Sequence, residues 1–248
     1  MQSAIINNGL SYDCTTFAKN GICLSAGGRN TSTDSLSTGT SGALLIASYR
    51  ASDKVRLGAY LDQNLSTRNE TGVRLSNNTP MAAAFGVWNQ NTDGTGYELR
   101  LAAGYSDKNV AVNRSIIGSS EAGSGSTSLQ SQAYSAILSR GFQINNTRWI
   151  ASPYLGLRYN KIKRHGYEEA FSTDVTAPLT YASLSQEATT ALAGVRLNGR
   201  VGDKTVLMAS VGIEDDINRD SDDYVVSGLE GLAPVVFMNN VKHFRPAA

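Results

Sequence analysis

The 248-residue sequence is poor in charge, histidine and cysteine. Asp, Glu, Lys and Arg make up 17% of it, against about 25% in an average soluble domain. A net charge of +1 supplies no basic field, which argues against nucleic acid as a partner. Two His and two Cys, with no CxxC and no zinc-ligand spacing, leave little for a metal cluster. No GxSxG motif or other nucleophile context surrounds His165, so no catalytic residue is expected. Long apolar runs are also missing. The longest, counting Gly, is the eight-residue stretch Met81–Trp88, far short of the ~20 residues of a membrane helix. A barrel strand needs only ~9–11 residues of alternating character, so a membrane barrel stays open. Residues 1–13, MQSAIINNGLSYD, lack the basic and apolar regions of a secretory signal. An exported protein would carry its signal upstream of them.

Cys14 and Cys23 are the only cysteines. An even, closely spaced pair suits an oxidising compartment, and closing so short a loop stabilises by a little under ~3 kcal/mol. A disulfide is expected.

Period-2 alternation is present along most of the chain, and helical periodicity is scarce. Val55, Leu57, Ala59 and Leu61 alternate with Arg56, Gly58, Tyr60 and Asp62. Tyr97, Leu99, Leu101, Ala103 and Tyr105 alternate with Glu98, Arg100, Ala102, Gly104 and Ser106. The same holds around Val195 and Arg196 and around Leu207. One face is aliphatic, and in the 97–105 strand it is framed by Tyr at both ends, while the other carries small residues and isolated charges. A soluble sandwich or adhesin module would send many Lys, Glu and Thr to its polar face. Aromatic residues flanking an aliphatic band are the pattern of a bilayer-crossing strand. The parity therefore assigns Leu57, Tyr97, Leu99, Leu101, Tyr105, Val195 and Leu207 to lipid. It assigns Arg56, Tyr60, Glu98, Arg100, Tyr154, Arg158 and Arg196 to the lumen, with Tyr60 and Tyr154 against small neighbours such as Gly86 or Gly104.

The sequence predicts strands at 22–30, 42–51, 55–66, 80–90, 97–113, 129–144, 149–163, 187–200 and 206–220, with another starting at 241. The connections alternate in length. Short turns at 51–54, 91–96, 145–148 and 201–205 face one side. Long segments at 67–79, 118–128, 164–186 and 221–240 face the other. That alternation is the signature of an outer-membrane barrel, with short turns periplasmic and long loops outside. The loop 118–128, GSSEAGSGSTS, is expected to be mobile and solvated. A single barrel domain over 21–248 follows a lead-in at 1–20.

Pro153–Tyr159 (PYLGLRY), followed by Gly166-Tyr167-Glu168, resembles the β-domain of autotransporters, the type V secretion family. Tyr97–Tyr105 and Ala191–Leu197 are similar to strands of that family, and the likeness runs over about 42–220. The resemblance implies an all-β, antiparallel up-and-down transmembrane barrel of the 12-stranded kind, with a helical linker in its pore. It implies an outer-membrane protein that exports and anchors an N-terminal passenger and is inserted by the barrel-assembly machinery. No enzymatic turnover and no cofactor are implied for this segment. The family's chain ends in a strand with a terminal aromatic residue, whereas this one ends His243-Phe244-Arg245-Pro246-Ala247-Ala248. The barrel is therefore expected to be incomplete here, with about nine to ten strands. A passive pore or structural barrel without a passenger is the other membrane reading.

Two further features are expected to be bland. Glu168, Glu169, Asp215, Asp216, Asp220, Asp222 and Asp223 lack the DxDxDG spacing of a calcium loop and read as solvated charge. The sequons at Asn30, Asn64 and Asn69 have no meaning in a bacterial outer membrane.

Overall fold

The computed structural model describes residues 2–33, 38–68, 72–75, 79–114, 121–145, 147–171, 175–201, 205–228, 233–237 and 244–247. Asn69, parts of the expected connections (118–120 and 202–204 among them) and the expected strand start at 241–243 lie outside these residues. One short helix, α1 (Gln2–Gly9), precedes the strands β1 (Ile22–Thr33), β2 (Thr38–Ser52), β3 (Val55–Arg68), β4 (Val73–Leu75) and β5 (Met81–Asn89). There follow β6 (Gly96–Arg114), β7 (Gly123–Gln143), β8 (Trp149–Arg164), β9 (Tyr167–Glu168) and β10 (Thr180–Tyr181). The last are β11 (Leu184–Val201), β12 (Thr205–Ser221), β13 (Tyr224–Ser227), β14 (Val235–Phe237) and β15 (Phe244–Ala247). No described helix is long and apolar enough to cross a membrane.

The main sheet runs β1-β2-β3-β5-β6-β7-β8-β11-β12-β15, with β4 added beside β6. Each neighbour pair is antiparallel. Sequential hairpins make this an up-and-down meander. It is open between β1 and β15 among the described residues, in line with an unclosed barrel. Two facing sheets, which a sandwich would need, are not what these strands build. Where the expected short turns are described, they are short, as at 53–54 and 90–95.

The long side differs from expectation. Only 34–37 separate β1 from β2, and the longer connections contain short strands among their described residues. β9, β10, β13 and β14 form a second sheet in the order β14-β13-β10-β9. The segment 118–128, expected as a mobile loop, is largely the start of β7. Gly123 through Ser128 pair in register with Arg114 through Asn109. The reason is height. At ~3.3 Å per residue the 19 residues of β6 run about 60 Å, while an outer-membrane apolar band is only ~25 Å tall. The β6–β7 hairpin therefore stands far out of the band, and a Ser/Gly strand in water needs only its backbone ladder.

Two faces follow from the pleat. One carries Leu57, Leu99, Leu101, Val195 and Leu207, all exposed. The other is covered by α1 and the segment after it. Ile5, Ile6 and Leu10 pack there against Tyr60, Met81, Ala83, Phe85, Val87, Ala102 and Ala133. β5 thus has apolar residues on both faces, which is why Met81–Trp88 is the longest apolar run in the sequence.

Candidate functional site on the helix-covered wall

The lead-in is held by charge at the end of the sheet near the short turns. Arg56 of β3 donates to both Asp13 oxygens, with Nη2–Oδ2 at 2.7 Å, and Arg100 of β6 reaches the same carboxylate at 3.0 Å. Arg100 also donates to the carbonyls of Leu10 (3.0 Å) and Tyr12. Ser48 of β2 donates to the carbonyl of Cys14 at 2.7 Å. Cys14 and Cys23 form the expected disulfide, which ties the end of the lead-in to β1.

Glu98 sits at the centre of this belt. It accepts from Asn89 (2.9 Å) and Arg56 (3.3 Å), and it pairs with Arg196 at 3.5 Å. Arg196 belongs to β11, three strands away in the sheet. Strands lie ~4.8 Å apart, so a direct contact over three spacings requires the sheet to curl toward this face. The helix-covered face is therefore the concave one. A cavity of about 1630 Å³ opens there, lined by Asp13, Arg56, Glu98, Arg100, Arg158 and Arg196 among others.

Farther along, Arg158 forms a two-pronged pair with Glu214, at 3.0 and 2.5 Å. Tyr154 lies over Gly194 and Gly212, where an added Cβ would overlap its hydroxyl. Tyr60 meets Tyr12 edge to face at 5.2 Å and touches α1 at Gly9. Neither tyrosine uses Gly86. That residue pairs with Leu57 on the convex face, and its own parity puts it there.

Sequence reasoning did not single out Arg29. Its guanidinium takes both oxygens of Asp62, at 2.7 and 3.0 Å, plus Asn64 and Thr40. The signal was available, since Asp62 and Asn64 share the parity of Tyr60. Buried pairs of this kind fix register more than they add stability. Here they tie β1 and β2 to β3.

Glu169, expected as solvated loop charge, is 4% exposed. Arg114 donates to it at 3.0 and 2.8 Å, and the Leu179 N–H and Tyr181 hydroxyl complete the set. Asp216 is likewise buried and accepts from Thr190 at 2.8 Å. Above Glu169, Tyr167 stacks on Tyr181 at 4.6 Å. Among the described residues no group of three or more His, Cys, Asp or Glu could hold a metal.

Hydrogen bonding to Arg114 holds the Glu169 carboxyl below the usual carboxylate range, against the upward push of burial. A depressed folded-state pKa stabilises above the unfolded value and is lost as pH falls through the folded one. The near-UV signal of the Tyr167–Tyr181 stack should therefore hold down to about pH 5 and fade below about pH 4. Glu169→Gln should abolish that transition. An identical acid transition in the variant would show that another group drives it.

The convex face carries an aliphatic band with aromatic borders. Tyr49, Trp88, Tyr97 and Phe142 lie near the short turns, all exposed. Tyr105 and Tyr134 border the other side, and Tyr134 stacks with Tyr159 at 6.3 Å. From Tyr97 to Tyr105 is nine residues of β6, the length that crosses an outer membrane. Beyond them Asp107 and Asn109 take the same parity.

A curled antiparallel meander with a polar interior and an aromatic-bordered exterior is the architecture of an outer-membrane β-barrel. The model of the Autotransporter beta-domain matches residues 24–242, and the chain belongs to that family. Among solved structures, the translocator domain of autotransporter NalP from Neisseria meningitidis is similar. Its TM-score is 0.56 at 18% identity, over 91% of this chain and 80% of that one. No curated protein matches the sequence.

Proposed function

We propose that the barrel exports an N-terminal passenger to the cell surface and stays behind as its anchor, without enzymatic turnover. The supporting observation is the path of the lead-in. Asp13 is held at Arg56 and Arg100, the Leu10 carbonyl at Arg100, and Ile6 against Gly104. As residue number falls, the chain climbs the concave wall away from the short turns. Whatever precedes α1 is thereby directed out at the long-connection end. A plugged, anchored lead-in suits an export barrel better than a passive pore.

In this reading the concave residues Arg56, Tyr60, Glu98, Arg100, Tyr154, Arg158 and Arg196 line the lumen, and Arg56, Tyr60 and Arg100 among them grip the lead-in. Leu57, Tyr97, Leu99, Leu101, Tyr105, Val195 and Leu207 face lipid. The barrel-assembly machinery is the partner for insertion, and the passenger is the cargo. Single cysteines at Ala182 and Asp53, in a Cys14→Ser/Cys23→Ser background, test the orientation. An impermeant thiol reagent on intact cells should label Ala182→Cys and spare Asp53→Cys. The reverse pattern, or equal labelling, would overturn it.

A further inference from the structure

Past Gly104, the next concave positions of β6 are Ser106 and Lys108. Lys108 is 2% exposed, and its Nζ has no hydrogen-bond partner among the described residues. Ser106 and Ser131 face each other across β6 and β7, and both hydroxyls are buried and equally unpartnered. Three buried donors therefore share one spot on the wall. Leaving a buried polar group unsatisfied is costly, and a charge more so, so the arrangement calls for an acceptor.

Among the described residues no carboxylate supplies it. Asp62 acts on Lys108 electrostatically but gives both oxygens to Arg29. Arg29 and Asp62 cancel, and Lys108 leaves one positive charge over. α1 adds to this. It climbs from Arg100 at Leu10 to Gly104 at Ile6, so its first turn points toward the rows of Ser106 and Lys108. First-turn N–H groups lack intrahelical partners, and the helix dipole favours an anion there. That turn contains no acidic residue of its own.

We propose that Lys108 Nζ, Ser106 Oγ and Ser131 Oγ, beneath the amino end of α1, form an oxyanion site on the concave wall. Its ligand is a carboxylate or a sulfate- or phosphate-like group. An ammonium and two hydroxyls match such a group in charge and in number of donors. The site does not depend on passenger export and stands if that reading fails.

Sulfate titration of the full chain in detergent micelles, followed by amide NMR at constant ionic strength, tests it. Saturable shifts are expected at Ser106, Lys108, Ser131 and the first turn of α1. Lys108→Met should abolish them, and Ser106→Ala/Ser131→Ala should weaken binding several-fold while keeping the charge. The double variant decides the matter if Lys108→Met fails to fold. Non-saturating shifts, or equal shifts in all variants, would overturn the proposal. A version extended ahead of Met1 by an acidic segment separates the two sources. Protection of the same amides without sulfate assigns the oxyanion to an upstream carboxylate, and an unchanged titration assigns it to a free ion.

Discussion

Leu101→Arg should lower the stability of the barrel by about 2–4 kcal/mol, the cost of a cation at mid-bilayer on a barrel's lipid face. Leu101 is 53% exposed, midway between Tyr97 and Tyr105 on the convex face. In water an exposed leucine tolerates arginine at little cost, so a large loss reports lipid contact directly. Gln143→Arg is the control. Gln143 has the parity of Ser139, lines the concave cavity and is exposed there, so a cation of similar length stays in water. Reversible unfolding in liposomes should give a clearly smaller loss for Gln143→Arg. A larger loss there would invert the facing of both surfaces.

Asp13→Ala should release the lead-in while leaving the sheet intact. Asp13 is the carboxylate that Arg56 and Arg100 share, and the Arg100 side chain is 4% exposed. Removing one partner of a buried pair costs about 3–5 kcal/mol, because the other charge stays buried. Arg56 keeps Glu98 and Asn89 as partners, whereas the other bonds of Arg100 go to the lead-in itself. Hydrogen exchange should therefore rise steeply in the α1 amides, with β6 and β7 unchanged. Asp13→Asn, which keeps an acceptor and loses the charge, should fall between. Uniform loss of protection across the sheet would show that the belt holds the wall and not the plug.

The strands were legible because each face of a barrel wall meets a different solvent. Lipid outside and water or charge inside impose period 2 on Val55–Asp62 and Tyr97–Ser106 without help from tertiary detail. The same parity rule reaches Arg29 and Asp62 once all inward positions are followed. It fails where an element lies outside the wall. α1 is eight residues with little amphipathic character, and only its neighbours on the concave face make it a helix. β9, β10, β13 and β14 are two to four residues long, too short to show alternation. Glu169 was misread for a related reason. Its charge is buried by Arg114, 55 residues away, and local composition carries no trace of that partner. The Gly/Ser run before Ser128 looks like a linker because a strand outside the membrane band needs no apolar face.

An epitope tag placed ahead of Met1 and probed on intact cells is the most direct measurement of the export account. Antibody binding and removal of the tag by external protease are expected, with loss of both when the concave lead-in contacts are broken by Asp13→Ala and Cys14→Ser together. A tag that external protease reaches only after the outer membrane is permeabilised would place the N-terminus on the periplasmic side and contradict the account.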